Sequence, residues 1–265
     1  MSGTESATTV TKQDIVHGLR ELGLPSGSSI LVHSSLSRFG YVRGGADAVI
    51  DALLEAVGPA GTVMVPTLTG SQALSADNPP YFDPDVTPCW TGRVPEALRQ
   101  RPTAVRSLHP THSVAAIGAQ ARALTEGHEY SITPCGPDSP YGRLVEARGL
   151  ILLLGVTHGS STTFHHVEEI VGVPYHMQPG LVAAQVVKEG EARIIHLMIH
   201  RYGPRRDFER MEPLFRERGI QRDGQIGRAH VRLVDAYAMV QVTRLALLQD
   251  SAILLAPGQR PLDGS

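Results

Sequence analysis

The stretch Leu150-Ile151-Leu152-Leu153-Leu154-Gly155 is the most apolar run of the chain, and the segment from Thr162 to Val171 shortly after it has the apolar spacing of a helix. A short, continuous apolar run that ends in glycine is typical of a buried strand. Continuous rather than alternating apolar residues are expected where helices cover both faces of a sheet. The stretch therefore predicts one strand–helix unit of an α/β fold.

The same alternation of strand and helix precedes this unit. We predict helices over residues 14–22, 46–56, 94–99, 119–125 and 162–171, with one more through Val145, and strands over residues 29–33, 62–66, 113–117 and 150–155. Residues 67–92 are rich in Pro, Asp, Asn and Thr, which predicts a long loop of the kind that often carries function. The order indicates the α/β class, as a three-layer sandwich with a central, mostly parallel sheet.

The pattern changes between residues 174 and 203. Two apolar segments, Leu181–Val187 and Ala192–Ile199, flank a polar turn, which predicts a small antiparallel lobe inserted in the fold. Helices over residues 207–218 and 233–248 and a last strand over residues 252–255 are predicted to follow. Because no repeat, low-complexity tract or linker divides the chain, we predict a single domain over residues 1–265, with residues 1–12 as a flexible tail.

Composition narrows the classes of partner. The chain has 24 Lys and Arg against 26 Asp and Glu, a formal net charge of −2, which gives no overall attraction to nucleic acid or to an anionic membrane. Its longest apolar run is too short to cross a bilayer, and its first residues lack the pattern of a signal peptide. We therefore expect a cytoplasmic protein with neither a nucleic acid nor a membrane as partner. Monomer and homodimer both remain open.

The segment after the most apolar strand carries the strongest cluster of reactive side chains. His165 and Glu168 lie three residues apart on the predicted helix and share a face, and His166 and Glu169 share the neighbouring face. Either pair could hold an imidazole in one tautomer with a carboxylate behind it, as a general base requires. The alternative is a solvated helix face with two incidental pairs. The position beyond the carboxyl end of a buried strand favours function.

Two further polar stretches flank predicted strands. His33, Ser34 and Ser35 follow one strand, and their polar groups suit either a ligand or a turn that caps the strand. Arg106 precedes another strand and could bind a phosphate or lie at the surface. The chain lacks the phosphate-binding loop, the dinucleotide-binding glycine motif and the serine nucleophile elbow. It also lacks His-Glu-x-x-His, so we predict no metal site, with metal binding as a minor alternative.

Five motifs occur in order over most of the chain: His33-Ser34-Ser35, Gly61-Thr62-Val63-Met64-Val65-Pro66-Thr67, Arg106-Ser107-Leu108-His109-Pro110, Ser139-Pro140-Tyr141-Gly142, and Leu153-Leu154-Gly155-Val156-x-His158 with Thr162-Thr163-Phe164-His165. Together they resemble the aminoglycoside 3-N-acetyltransferase family. The resemblance implies an α/β sandwich distinct from the GNAT acetyltransferases. It also implies acetyl transfer from acetyl-CoA, as co-substrate, to the 3-amino group of a 2-deoxystreptamine aminoglycoside, an activity that confers antibiotic resistance.

The same resemblance assigns roles to individual residues. His165 would be the general base, Glu168 would orient it or hold the cationic substrate, and His33 would lie close to the reacting groups. Residues implied to line the CoA tract are Ser34, Ser35, Leu36, Arg106, Ser107 and Thr163. An aminoglycoside is polycationic, so we expect an acidic pocket, with candidate carboxylates at Asp77, Asp83, Asp85, Glu168 and Glu169.

The basic stretch Arg201–Arg206 does not suit recognition of a cation. It could face the antibiotic or the CoA phosphates, and we expect it to face solvent. Two other functions remain alternatives. One is CoA-dependent acetylation of a different amine, and the other is a non-catalytic protein that binds CoA or a sugar.

Overall fold

The computed structural model describes residues 9–260. The predicted flexible tail is wrong for residues 9–12, because Thr9–Val10 pairs as a strand with Tyr41–Val42. Thr11 then caps the first helix in a reciprocal capping box with Asp14, which satisfies two backbone N–H groups at the helix start. Residues 1–8 of the predicted tail lie outside the described residues. The single-domain organisation remains a prediction.

The helices are α1 (Lys12–Glu21), α2 (Gly45–Val57), α3 (Arg93–Arg99), α4 (Ala121–Thr125), α5 (Pro140–Glu146), α6 (Thr163–Val171), α7 (Glu212–Glu217) and α8 (Ala236–Gln249). The strands are β1 (Thr9–Val10), β2 (Ser29–Ser34), β3 (Tyr41–Val42), β4 (Thr62–Pro66), β5 (Tyr81–Phe82), β6 (Val105–Arg106), β7 (Val114–Gly118), β8 (Leu150–Leu154), β9 (Val182–Lys188), β10 (Glu191–Leu197), β11 (Gln221–Ile226) and β12 (Ala229–Asp235). As far as residue 199 these bounds match the predicted elements closely, apart from the short strands β1, β3, β5 and β6, which were not predicted.

A seven-stranded sheet in the order β11-β12-β8-β2-β4-β7-β6 forms the centre of the fold. The predicted α/β class is confirmed, but the expectation of a mostly parallel sheet is wrong. Within residues 9–260, β2 pairs in parallel with β8 and β4, and the other four pairings are antiparallel. The reason is that the outer strands come as adjacent antiparallel pairs, β6 with β7 and β11 with β12, which need no helical crossover.

The largest errors of sequence interpretation lie at the carboxyl end. The predicted helix over residues 233–248 begins at Ala236, where Asp235 caps it, and the residues before it form β12. The predicted helix over residues 207–218 divides into a 3-10 turn and α7, and Pro213 stands in the first turn of α7. The predicted strand over residues 252–255 does not form. Residues 252–254 lie in a turn, and Leu255 makes a single isolated bridge.

Helices cover both faces of β8. Leu152 and Leu154 pack in a core with side chains of α1 and α2, such as Ile15 and Ile50. Ile151 and Leu153 point the other way and pack with side chains of α6 and α8. Every second residue of a strand faces the same side, so the continuous apolar run serves two cores at once.

The predicted antiparallel lobe is present as the pair β9 and β10. The short strand β5 from the long loop adds to it in parallel with β9. This pairing ties the long loop to the lobe. Among residues 9–260, no helix has the length and apolar character needed to cross a bilayer.

Replacement of Leu152 by alanine tests the central position of β8. Leu152 is fully buried, so the change should lower the free energy of unfolding by about 2 to 5 kcal/mol. Leu181→Ala is the matched control, because Leu181 is 56% exposed and should change stability by less than about 0.5 kcal/mol. Urea denaturation measures both. Equal effects in the two variants would contradict this assignment of the core.

Candidate active site

Three strands end at the same edge of the central sheet. Since β2, β4 and β8 run in parallel, their carboxyl ends bring together His33, Pro66 and the segment after Leu154. A cavity of about 310 Å³ lies at this edge, where open α/β sheets place ligands. Its lining residues are Val32, His33, Ser34, Pro66, Leu68, Trp90, Thr91, Pro95, Val156, Gly159, Ser160, Ser161, Thr162 and His165.

A glycine directs the chain from β8 into the site. Gly155 has φ 67°, and a Cβ atom there would stand 2.5 Å from Cβ of Arg38. Glycine takes this left-handed conformation without steric cost and leaves room for the Arg38 side chain. The turn at Gly155 leads into a 3-10 turn over His158–Ser160 and then into α6, whose first turn carries His165.

His165 and Glu168 form the predicted pair on α6. Nδ1 of His165 lies 2.7 Å from a carboxylate oxygen of Glu168, which is fully buried. The His165 ring is 27% exposed and lines the cavity. Because Nδ1 is engaged with the carboxylate, Nε2 is the nitrogen available to a ligand. The pair therefore has the geometry of an oriented general base.

Glu168 has two further partners that the sequence did not reveal. Nε of Arg206 donates to one carboxylate oxygen at 3.1 Å. The His176 ring packs against the other, with Nδ1 at 3.2 Å, and this Nδ1 accepts a hydrogen bond from the Arg206 guanidinium at 3.1 Å. A fully buried carboxylate stays charged only when it is paired and hydrogen-bonded, and Arg206 supplies the charge. Burial and the neighbouring His200 lower the pKa of His176 well below its usual value, so that ring is neutral.

The expectation that the basic stretch 201–206 faces solvent is wrong for Arg206. Its side chain is 12% exposed, binds Glu168 and stacks over the Tyr175 ring at 5.2 Å. Arg205 is exposed, as expected. The sequence does offer one signal for Arg206. An acid on the buried face of a helix requires a cation, and few basic residues lie near Glu168 in the sequence.

The second predicted pair, His166 with Glu169, does not form. Nδ1 of His166 bonds to the backbone oxygen of Cys135 at 2.7 Å. Glu169 accepts the Cys135 backbone N–H at 2.9 Å and meets Nε2 of His200 at 2.6 Å. Burial raises the pKa of Glu169 to about 7. Glu169 is thus an internal group away from the cavity, which corrects its expected role as a substrate ligand.

His33 faces the cavity from the end of β2. Its ring is buried, and among the described residues its Nε2 has no hydrogen-bond partner. Burial, with a smaller contribution from His158, lowers the pKa of His33 to about 3. The ring is therefore neutral at physiological pH and can offer one hydrogen bond to a ligand.

The serines after β2 line a second opening. Ser34, Ser35 and Leu36 border a cleft of about 640 Å³ together with Gly45 and Arg93. Ser34 also lines the cavity that contains His165, so the two spaces adjoin there. Together they offer an elongated path from the sheet edge to His165.

Three residues predicted to line the CoA tract are buried or form other contacts. The Arg106 guanidinium binds the backbone oxygens of Pro84, Thr87 and Thr67, and so fastens the long loop to the sheet. The Ser107 hydroxyl is buried against Nδ1 of His128. Thr163 is fully buried, and its neighbour Thr162 lines the cavity instead. These contacts keep the three side chains out of the cavity around His165, and their contact with CoA stays a prediction.

The acidic residues of the long loop stand apart from the cavity. Asp77 and Asp85 are exposed, and Asp83 accepts the Asp85 backbone N–H at 3.0 Å. None of the three lines the space around His165. Sequence reasoning also missed the apolar part of the lining from this loop, Leu68 and Trp90.

A family model described as aminoglycoside 3-N-acetyltransferase matches residues 31–247. The chain belongs to the aminoglycoside 3-N-acetyltransferase family. Aminoglycoside N(3)-acetyltransferase IX of Micromonospora chalcea is 36% identical over 86% of this chain and 89% of its own length. The enzyme numbered VII from Streptomyces paromomycinus is 41% identical, but that alignment covers 62% of each protein.

Solved structures of this family share the fold. The crystal structure of aminoglycoside acetyltransferase AAC(3)-Xa is 35% identical and superimposes with a TM-score of 0.79 over 90% of this chain and 93% of that chain. A structure described as AAC-IIIb binary with CoASH is 28% identical, with a TM-score of 0.78 over 95% of this chain and 100% of that chain.

Replacement of Arg206 by alanine tests the pairing at Glu168. The variant leaves a fully buried carboxylate without its cation, which should lower the free energy of unfolding by about 3 kcal/mol or more. Arg205→Ala is the matched control, because Arg205 is exposed and should change stability by less than about 0.5 kcal/mol. Denaturant titration measures both. A wild-type midpoint for Arg206→Ala would refute the pairing.

Proposed function

We propose that this chain transfers the acetyl group of acetyl-CoA to the 3-amino group of a 2-deoxystreptamine aminoglycoside, with His165 as general base. The observation that carries the proposal is the His165 ring, held through Nδ1 by the buried Glu168 and facing a cavity at the carboxyl ends of three parallel strands. Family membership supplies the reaction class. Relatives named as N(3)-acetyltransferases supply the position of the amine.

The chemistry follows from the state of the two reactants. An amine is protonated in bulk water, so a base must take a proton before nitrogen can attack the thioester carbon. Nε2 of His165 accepts that proton, and the charge of Glu168 stabilises the imidazolium that forms. The new C–N bond replaces the C–S bond, and the nitrogen loses a second proton as the amide forms. Of these two protons, one passes through His165 to the CoA thiolate and the other leaves to solvent. No covalent enzyme intermediate is needed, because both reactants are bound side by side.

The placement of CoA follows from the two adjoining spaces. Its arm would run along the cleft at Ser34, Ser35 and Leu36 and bring the thioester to the junction at Ser34. The relative with bound CoASH supports this use of the fold. The oxygen of the thioester gains negative charge in the transition state, and backbone N–H groups near Ser34 or the neutral His33 could donate to it.

One observation favours acetylation of a different amine as the second candidate. Among residues 9–260, no Asp or Glu lines the cavity around His165, whereas a polycation requires acidic contacts. Under the main proposal these contacts come from the surrounding loops, with Asp77 and Asp83 as candidates. An assay with acetyl-CoA against aminoglycosides and simple polyamines distinguishes the two. Mass spectrometry and NMR of the product would locate the acetyl group, and turnover of the polyamines alone would reject the aminoglycoside proposal.

Replacement of His165 by alanine tests the base. We expect kcat to fall by about 10² to 10⁴, the usual contribution of a general base, with the affinity for acetyl-CoA little changed. His17→Ala is the control, because His17 is an exposed residue of α1. Steady-state kinetics and calorimetric CoA binding give the two readouts. Turnover equal to that of the parent would remove His165 from the mechanism.

A further inference from the structure

A second cluster of reactive groups lies behind the His165–Glu168 pair. His112 precedes β7, Cys135 lies in the loop before α5, and His200 follows β10. All three are buried, and each offers a ligand atom within 4.8 Å of those of the other two. Two imidazoles and a thiol from distant parts of the chain thus meet in the interior.

Both histidines are oriented as metal ligands usually are. Nδ1 of His112 lies 2.9 Å from the Thr111 hydroxyl, which leaves Nε2. Nε2 of His200 lies 2.6 Å from the Glu169 carboxylate, which leaves Nδ1. A ligating histidine typically donates its other ring N–H to a carboxylate or another oxygen, and this contact fixes the ring. Glu169 also accepts the backbone N–H of Cys135, so one carboxylate supports two of the three donors.

The ring nitrogens left free suit a cation as well. Each belongs to a buried imidazole, and an imidazole binds metal through the lone pair of its neutral form. A cation at the cluster would in turn favour loss of the Cys135 proton.

A buried ring beside the cluster also has a nitrogen without a partner. The His176 ring is 1% exposed and lies 4.0 Å from the His200 ring, centroid to centroid. Within residues 9–260, Nε2 of His176 has no hydrogen-bond partner. It lies 3.8 Å from the Glu169 carboxylate, beyond hydrogen-bond distance. An unpaired buried nitrogen carries a desolvation cost, so the polar groups around His200 are not fully paired with one another.

A narrow crevice leads to the cluster. It has a volume of about 10 Å³ and is lined by His112, His200, Thr111 and Tyr202, among others. This space holds about one water molecule. An ion could therefore enter past Tyr202, and a water could complete a tetrahedral shell with three protein ligands.

We propose that His112, Cys135 and His200 form a zinc site, with Glu169 as the residue that positions His200. Two imidazoles and one thiolate are ligands that Zn²⁺ prefers. The ion would join the segment before β7, the loop before α5 and the end of the lobe. This inference revises the expectation that the chain holds no metal. It is independent of the proposed function, because the acetyl transfer described above uses no metal.

The native protein gives the first test. Protein purified without chelator should contain about one Zn²⁺ per chain by elemental analysis. After zinc is removed, Co²⁺ should bind with the same stoichiometry and give the near-ultraviolet absorption band of a cobalt–thiolate bond. Added Zn²⁺ should raise the melting temperature of the metal-free protein. A metal-free preparation that binds neither Zn²⁺ nor Co²⁺ above the level of a buffer blank would overturn the proposal.

Matched variants locate the site. Cys135→Ser should abolish the cobalt–thiolate band, and His112→Asn should weaken Zn²⁺ binding at least about tenfold. The controls Cys89→Ser and His17→Asn alter the other cysteine and an exposed histidine, and should bind as the parent does. Parental affinity and spectrum in Cys135→Ser and His112→Asn would overturn the proposal. If Cys135→Ser fails to fold by circular dichroism, His112→Asn and the cobalt spectrum of the parent decide.

The His165→Ala variant separates this proposal from the proposed function. It should keep the zinc stoichiometry of the parent while its turnover falls. Loss of the metal site alone would leave the acetyltransferase proposal standing, and loss of the aminoglycoside activity alone would leave the zinc proposal standing.

Discussion

The buried carboxylate of Glu168 is the constraint on which the rest of the site depends. A charged group with no exposed surface is very costly in a protein interior unless other groups replace its hydration. Arg206 supplies the opposite charge, and His176 and His165 fill the remaining positions around the two oxygens. The imidazole of His165 is the one partner that reaches the cavity. The same arrangement of side chains therefore satisfies the Glu168 carboxylate and orients the base, His165.

The mixed sheet explains where this arrangement can be built. Three neighbouring strands, β4, β2 and β8, run in parallel, and their carboxyl ends provide the edge on which His33 and α6 stand. The antiparallel strands β7 and β12 flank these three and bring their amino ends to the same edge. The lobe then closes the other side, since the segment after β10 brings His200 and Arg206 to α6. The site thus needs both the parallel centre and the inserted lobe.

Sequence predicts the parts of this structure that depend on neighbours in the chain. The run Leu150–Leu154 is local, and the three-residue spacing of His165 and Glu168 places them on one face of a helix whatever surrounds it. The strand β12 has a detectable sequence pattern, because the apolar residues Ala229, Val231 and Leu233 alternate with other residues. All three are buried. The sequence pattern assigns the apolar end of β12 to the following helix, because nothing in it identifies Asp235 as the cap.

The same reasoning does not identify partners that are distant in the sequence. Arg206 lies 38 residues from Glu168, and no local pattern distinguishes it from the exposed Arg205. Arg106 shows the converse, because a basic residue beside a strand suggested an anion site and instead holds the long loop through backbone oxygens. Donors separated by tens of residues, such as His112, Cys135 and His200, have no ligand spacing to recognise. Burial and pairing decide these roles, and both depend on the folded chain.

The tautomer of His165 is the most direct measure of the central claim. Protein labelled with ¹⁵N-histidine, with the His165 signals assigned by comparison with His165→Ala, reports which ring nitrogen carries the proton. The account predicts a proton on Nδ1, shared with Glu168, and a free lone pair on Nε2 in the neutral ring. A neutral ring protonated on Nε2 would have no lone pair to offer at the cavity and would contradict the account.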